Sequence, residues 1–129
     1  LLANRCWHMR DKLDLKAMQE ASKCLVGEHD FKSFQAAGSS AKDAFRRINS
    51  ITIKKGRFLD RSGVVFIDIS GNGFVYNMVR NIVGTLIQVG KGRFPASEME
   101  KILKARERKR AGATAPARGL YLAKVTFRD

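Results

Sequence analysis

The side chain of this sequence best suited to chemistry is that of Arg80, which lies inside the longest helix-like segment, one turn before Gly84. At the margin of an apolar helix face, a guanidinium can reach across an interface to a phosphate or a carboxylate. A glycine inside a helix costs about 1 kcal/mol relative to alanine and usually allows close approach of another element. The same spacing also fits a solvated arginine on an amphipathic helix, so the pattern leaves both interpretations open.

Basic residues are concentrated in two further places. The first group is the run from Lys101 to Arg110, which contains six basic residues and one acid. The second group comprises Lys42, Arg46, Arg47, Lys54, Lys55 and Arg57. Either group alone fits a solvated surface, whereas two groups on one small domain favour a nucleic-acid-binding face.

Other catalytic and metal-binding patterns are missing from the sequence. There is no Ser/His/Asp or Cys/His set and no P-loop, and Gly71-Asn72-Gly73 lacks the third glycine of a dinucleotide-binding loop. His8 and His29 have no partners at metal-ligand spacing, which predicts structural or surface roles. Cys6 and Cys24 form no CxxC pair, which is typical of reduced cysteines in a cytosolic protein. The motifs alone therefore predict no metal and no cofactor, and they do not identify an enzyme.

The composition predicts a folded and strongly basic domain. The chain has 129 residues, 44% of them hydrophobic, and its 25 Lys and Arg against 12 Asp and Glu give a net charge of +13. Such a domain favours a polyanionic partner, because each neutralised phosphate releases condensed counterions. No stretch approaches the roughly 18 apolar residues of a membrane span, which disfavours a membrane partner. The start at Leu1 has no signal-peptide pattern. It also lacks an initiator Met, which predicts a longer parent protein.

The elements that must position these residues follow from hydrophobic periodicity. The long helix should carry a broad apolar sector and, opposite it, a polar stripe of Asn77, Arg80, Asn81, Gly84 and Gln88. The first predicted element is a helix from an Asp14 N-cap to about Val26, with both Leu25 and Val26 facing inward, and a helical turn or ordered loop follows over 28–34. Two strands over 46–57 and 64–70 form a hairpin, and the long helix follows over 74–90. A further helix begins with a Ser97–Glu100 capping box and runs to about Arg110, and a final strand covers 119–127. This order predicts a single α+β domain over 1–129, with helices covering one face of a mostly antiparallel sheet.

Three segments resemble one known family, in the same order along the chain. The segment Gly71–Leu86 closely resembles the Phe-x-x-x-Met-Val-Arg-Asn-Ile-Val-Gly signature of bacterial tRNA pseudouridine synthase A. The segment Val26–Phe34 is similar to that family's Gly-Glu-His-Asp-Phe-x-Ser-Phe stretch, and Ala115–Leu122 to its C-terminal Ala-Pro-x-x-Gly-Leu-x-Leu. Three ordered matches across nearly the whole chain make the resemblance highly specific.

The resemblance covers only the C-terminal half of that family. Its members carry the catalytic aspartate in a Gly-Arg-Thr-Asp-Ala-Gly segment of the N-terminal half, followed by an active-site tyrosine, and this sequence contains neither. Asp60-Arg61 pairs the same residue types in the wrong order. The resemblance therefore implies a C-terminal domain without its catalytic N-terminal domain, and a chain that is inactive by itself.

The resemblance also implies a reaction and roles for particular residues. The family isomerises uridines on the 3′ side of the tRNA anticodon stem-loop to pseudouridine without a cofactor: the base is flipped out, its glycosidic bond is broken with help from the aspartate, and the uracil is rejoined through carbon. By resemblance, Arg80 pairs with the missing aspartate and Leu120 forms the apolar floor of the uracil pocket. The expected RNA-binding residues are Lys42, Arg46, Arg47, Asn77, Lys91 and Arg93.

The sequence departs from the family pattern at two positions, and it leaves rival interpretations. Asn77 stands where many relatives have His, and Gln35 stands where Arg is common. The implied partners are the tRNA anticodon stem-loop, the protein's own N-terminal domain and a second copy in a cytoplasmic homodimer. One rival is a stand-alone basic RNA-binding module without catalysis, and another is an unrelated α+β protein that is basic for solubility.

Overall fold

The described part of the chain consists of a three-stranded antiparallel sheet and three α-helices. A computed structural model describes residues 13–35, 44–58, 61–72 and 76–112. The predicted α+β class is confirmed, while the predicted strand over 119–127 lies outside the described residues. In chain order, the elements are α1 Leu15–Ser22, a 3₁₀ turn Lys23–Leu25, β1 Gly27–Asp30, a 3₁₀ turn Lys32–Phe34, β2 Phe45–Phe58, β3 Arg61–Asn72, α2 Tyr76–Gly90, α3 Glu98–Ala105 and a 3₁₀ turn Arg108–Arg110.

The sheet has the order β1-β2-β3, and both strand pairs are antiparallel. The β2–β3 hairpin agrees with the alternating pattern, and Ile53 lies opposite Ile67. The strand β1 differs from the helical turn or loop predicted there, because Gly27–Asp30 pairs with Phe45–Ile48. The sequence Gly-Glu-His-Asp has little intrinsic strand preference, so backbone pairing with β2 creates this strand.

The helix α1 begins as predicted and ends earlier. The Asp14 side chain accepts a hydrogen bond of 3.1 Å from the amide of Ala17, which satisfies a donor of the first turn. The helix tightens into the 3₁₀ turn after Ser22, so that Leu25 is buried whereas Val26 is 41% exposed. The expectation that Val26 faces inward is therefore wrong, because the 3₁₀ turn ends at Leu25 and the backbone of Val26 is extended, with φ −71° and ψ 139°.

The helix α3 differs from the prediction at both ends. Ser97 has helical backbone angles and its side chain makes no capping hydrogen bond, so the predicted capping box does not form. The helix stops at Ala105, five residues before the predicted end, and Arg106 adopts a left-handed conformation with φ 55°. Its early end coincides with a hydrogen bond of 2.9 Å from the amide of Glu107 to Ser33 Oγ, a long-range contact that periodicity cannot reveal.

The hydrophobic core joins α2 to the other helices and to one face of the sheet. The carbonyl oxygen of Gly90 accepts a hydrogen bond of 2.8 Å from the amide of Asp14, which brings the start of α1 to the end of α2. The largest buried side chains include Met18, Leu25, Phe31, Phe34, Ile48, Met78, Ile82, Leu86, Met99 and Ile102.

Among the described residues, no helix has the length and apolar character needed to cross a membrane.

Candidate functional site

A buried asparagine joins α2 to two distant segments of the chain. Asn81 is 1% exposed, and its Nδ2 donates to the carbonyl oxygens of Phe34 at 2.8 Å and Gln35 at 3.2 Å. Its Oδ1 accepts a hydrogen bond of 2.9 Å from Nη2 of Arg108. The expectation that Asn81 belongs to a polar stripe opposite the core is wrong, because packed chain covers this side of α2.

Next to Asn81, a second set of contacts holds the backbone at Gly112 against the same helix. Thr85 Oγ1 donates to the carbonyl oxygen of Asn81 and accepts from the amide of Gly112, both at 2.8 Å. Nη1 of Arg108 donates to the carbonyl oxygen of Gly112 at 2.9 Å. A Cβ atom at Gly112 would lie 2.9 Å from Thr85 Cα and 3.0 Å from the carbonyl oxygen of Gly84, so only glycine fits without a backbone shift. The backbone at Gly112 thus lies close to the backbone of α2 at Gly84 and Thr85.

A buried serine extends these contacts to α3. Ser33 Oγ donates to the carbonyl oxygen of Ile102 at 2.6 Å and accepts from the amide of Glu107. In the described part of the chain, every buried side-chain nitrogen and oxygen atom has a hydrogen-bond partner. Fully satisfied polar networks of this kind hold their elements in one arrangement. We call the set Ser33, Asn81, Thr85, Arg108 and Gly112 the Asn81 network.

Arg80 precedes Asn81 directly and is half-buried, so it differs from a fully solvated arginine. The first turn of α2 contains no acidic residue. A helix N-terminus carries a partial positive charge, which adds here to the guanidinium of Arg80 four residues into the helix. This end of α2 is therefore electrostatically suited to a carboxylate or a phosphate.

Two of the expected RNA-binding residues lie toward the same end of α2. The strand register places Arg47 opposite Asn72, four residues before α2 begins. Nη2 of Arg47 lies 3.3 Å from Oε2 of Glu28, and Nη1 of Arg46 donates to the carbonyl oxygen of Phe45 at 2.6 Å. Arg47 and Glu28 are both largely exposed, so water and any nearby phosphate compete with Glu28 for the guanidinium of Arg47.

Lys91 and Arg93 lie at the other end of α2. Lys91 follows the last residue of the helix, eleven residues after Arg80, which corresponds to roughly 16 Å along the axis. Nη1 of Arg93 contacts Oε1 of Gln88 at 3.4 Å. The structure therefore separates these two cations from Arg80, so any contact they make with RNA is distant from the Arg80 end.

The other expected site residues have no described side chain. Lys42 and Leu120 lie outside the described residues, as do Cys6 and His8. The backbone of Asn77 belongs to α2, but its side chain is outside the description.

His29 and Cys24, the other described residues whose side chains could do chemistry, make local contacts within the fold. Nε2 of His29 lies 2.9 Å from the carbonyl oxygen of Val26, and its ring packs edge-on against Phe31. Burial raises the pKa of Cys24 to about 11, with a smaller contribution from the negative charge of Glu100. Within the described ranges, no group of three His, Cys, Asp or Glu side chains is arranged to hold a metal ion.

Sequence reasoning missed the residues of the Asn81 network. The available signal was a pair of polar residues, Asn81 and Thr85, spaced by one turn in a mainly apolar helix. Such a pair indicates either a solvated stripe or a buried contact with irregular chain. Helical periodicity alone does not distinguish these two situations.

Comparisons with known proteins agree with the motif resemblance. A family model described as tRNA pseudouridine synthase matches residues 21–128. The chain is 46% identical over 127 residues to tRNA pseudouridine synthase A of Acetivibrio thermocellus, covering 98% of this chain and 50% of that protein. It is 43% identical over 126 residues to the protein of the same name from Thermoanaerobacter sp., with the same coverage, and 44% identical over 121 residues to that of Syntrophotalea carbinolica, covering 94% and 46%. The chain thus spans about half the length of the curated relatives it matches.

Proposed function

Because this chain belongs to the tRNA pseudouridine synthase family, we propose that it supplies one half of an active site that converts uridine in tRNA to pseudouridine. Its target is uridine on the 3′ side of the anticodon stem-loop. The chain acts as a C-terminal domain, and the catalytic aspartate and active-site tyrosine come from an N-terminal domain. The match to about half of each relative and the missing aspartate motif support this division.

The observation that carries the proposal is the place of Arg80. It is half-buried at an end of α2 that has no acidic residue in its first turn, and it is followed by the anchored Asn81. Two of the three segments that resemble the family contribute to this anchor, since Phe34 belongs to the segment Val26–Phe34 and Asn81 to the segment Gly71–Leu86. Gly112 lies three residues before the third segment, which begins at Ala115.

In the proposed mechanism, Arg80 faces the aspartate of the N-terminal domain. An adjacent positive charge favours the ionised carboxylate and lowers its pKa, so the aspartate is ready to assist cleavage of the glycosidic bond. Arg80 also orients the carboxylate, because a guanidinium donates two parallel hydrogen bonds. Leu120 supplies an apolar surface beside the flipped uracil.

The basic residues hold the tRNA. Extruding a base from the stem-loop costs a few kcal/mol, which stacking and phosphate contacts offset. Phosphate contacts fix the position of the RNA and do not specify its sequence. Arg46 and Arg47 bind phosphates near Arg80, and Lys91 and Arg93 bind a more distant part of the tRNA. Lys42 and Asn77 are further RNA contacts that the motif resemblance implies. The complete protein works in the cytoplasm as a homodimer.

The proposal is tested with a chimaera in which this chain replaces the matching region of the Acetivibrio thermocellus relative. Tritium at uracil C5 is released when the new carbon–carbon bond forms there, so labelled tRNA reports the reaction. We expect tritium release by the chimaera and none by the 129-residue chain alone, although both bind tRNA. A chimaera that binds tRNA without releasing tritium would favour an RNA-binding module instead. Release by the isolated chain would refute the two-part active site.

A further inference from the structure

One guanidinium of the basic run Lys101–Arg110 turns into the protein rather than toward solvent. Arg108 is half-buried and donates from Nη2 to Asn81 Oδ1 and from Nη1 to the carbonyl oxygen of Gly112, both at 2.9 Å. Burial lowers the pKa of Arg108 below its usual value, but an arginine side chain remains charged at neutral pH. The two terminal nitrogen atoms of one guanidinium thus connect α2 to the backbone that follows α3.

This contact bears directly on Arg80. Successive residues of an α-helix point about 100° apart, so holding the side chain of Asn81 fixes the direction in which Arg80 leaves the helix. Asn81 is held from two sides, by the carbonyl oxygens of Phe34 and Gln35 and by Arg108. Rotation or sliding of α2 would break contacts on both sides at once.

We infer that Arg108 is a positioning residue that acts through Asn81 to fix Arg80 for the reaction, and that it does not bind tRNA. This inference rests on the proposed function. It assigns Arg108 a role different from the phosphate contact that its place in a basic run predicts. Loss of Arg108 should therefore slow the reaction and leave the affinity for tRNA intact.

The kinetic test uses Arg108→Met and Arg108→Lys in the chimaera. The single-turnover rate at saturating tRNA should fall roughly 10- to 100-fold in Arg108→Met, since small misplacements of a reacting group have effects of this size. The dissociation constant for tRNA should stay within about twofold of that of the unsubstituted chimaera. Arg108→Lys should recover part of the rate, because an ammonium keeps the charge and reaches one of the two acceptors.

A double substitution tests whether Arg108 acts through Asn81. In an Asn81→Ala background, Arg108→Met should lower the rate less than about twofold, because the contact it removes is already lost. Circular dichroism at the assay temperature establishes that each variant is folded. If Asn81→Ala does not fold, the two Arg108 variants decide the question alone.

Amide hydrogen exchange measures the stability of the contacts between Arg108, Asn81 and Gly112 independently of enzymatic activity. In the chimaera, Arg108→Met should accelerate amide exchange in peptides covering 107–112, where the Gly112 amide is bound to Thr85. Lys109→Met is the matched control, since it removes an exposed charge from the same 3₁₀ turn, and it should leave exchange unchanged.

The outcomes separate this inference from the proposed function. An unsubstituted chimaera without activity overturns the proposed function and, with it, the role of Arg108 in the reaction. In an active chimaera, a normal rate in Arg108→Met, or a loss confined to tRNA affinity, overturns the positioning role alone. Equal exchange in Arg108→Met and Lys109→Met also overturns it.

Discussion

Ser33 donates a hydrogen bond of 2.6 Å from Oγ to the carbonyl oxygen of Ile102, 69 residues later in the chain. The same hydroxyl accepts the amide of Glu107, so one buried atom connects the 3₁₀ turn Lys32–Phe34 to the end of α3. Ser33 lies in a segment that resembles the family, yet its contacts are structural. Its described contacts explain why a small hydroxyl side chain is suited to this position.

Replacement of Ser33 by alanine should destabilise the fold by about 2 kcal/mol, because it removes a fully buried hydroxyl that bonds both the carbonyl oxygen of Ile102 and the amide of Glu107. Urea unfolding of the chain measures the change in the free energy of unfolding. Ser50→Ala is the control, since Ser50 is exposed on β2 and should change stability by less than about 0.5 kcal/mol. Equal effects of the two substitutions would contradict the structural role of Ser33.

Charge removal at Arg47 should weaken tRNA binding in a salt-dependent manner. Arg47→Gln should reduce the slope of log affinity against log salt concentration by about 1, as expected for one lost phosphate contact. Glu28→Gln should have the opposite effect and strengthen binding, because the carboxylate 3.3 Å from Arg47 competes with phosphate. Titrations of tRNA at several salt concentrations measure both. An unchanged slope in Arg47→Gln would remove this residue from the RNA contact.

The Cys24 thiol should react slowly at neutral pH. Its pKa is raised to about 11, chiefly by burial, which disfavours the thiolate, so roughly a thousandth of it is ionised at pH 8. Alkylation by iodoacetamide in a Cys6→Ser background should accelerate about tenfold per pH unit up to about pH 11. Glu100→Gln should shift this profile to lower pH, because it removes a negative charge that raises the pKa. A plateau near pH 9 would contradict the burial of the thiol.

The sequence predicted the elements that rest on local pattern. Alternation located the β2–β3 hairpin, and the apolar sector located α2. The strand β1 was not predicted, because its polar residues become extended only by pairing with β2. The early end of α3 coincides with a contact to Ser33, which is distant in sequence. Long-range polar contacts of this kind leave no periodic signal.

The candidate site was predictable to a similar degree. Motif resemblance pointed to Arg80, whose role stays a prediction, and the backbone of Gly112 lies close to that of Gly84. The roles of Asn81 and Arg108 were not predicted, because each residue fits a solvated surface when only its own helix is considered. Their hydrogen bond joins residues 27 positions apart, so it becomes visible only in three dimensions.

The proposed function depends above all on the pairing of Arg80 with a carboxylate supplied by another domain. The direct measurement is the single-turnover rate of tritium release by the chimaera carrying Arg80→Ala, at saturating tRNA and across pH. We expect a loss of about 100-fold or more with tRNA affinity nearly unchanged, and an acidic limb of the pH profile shifted to higher pH, because a carboxylate without its cation has a higher pKa. A rate within about threefold of the unsubstituted chimaera, or a loss confined to tRNA affinity, would contradict it.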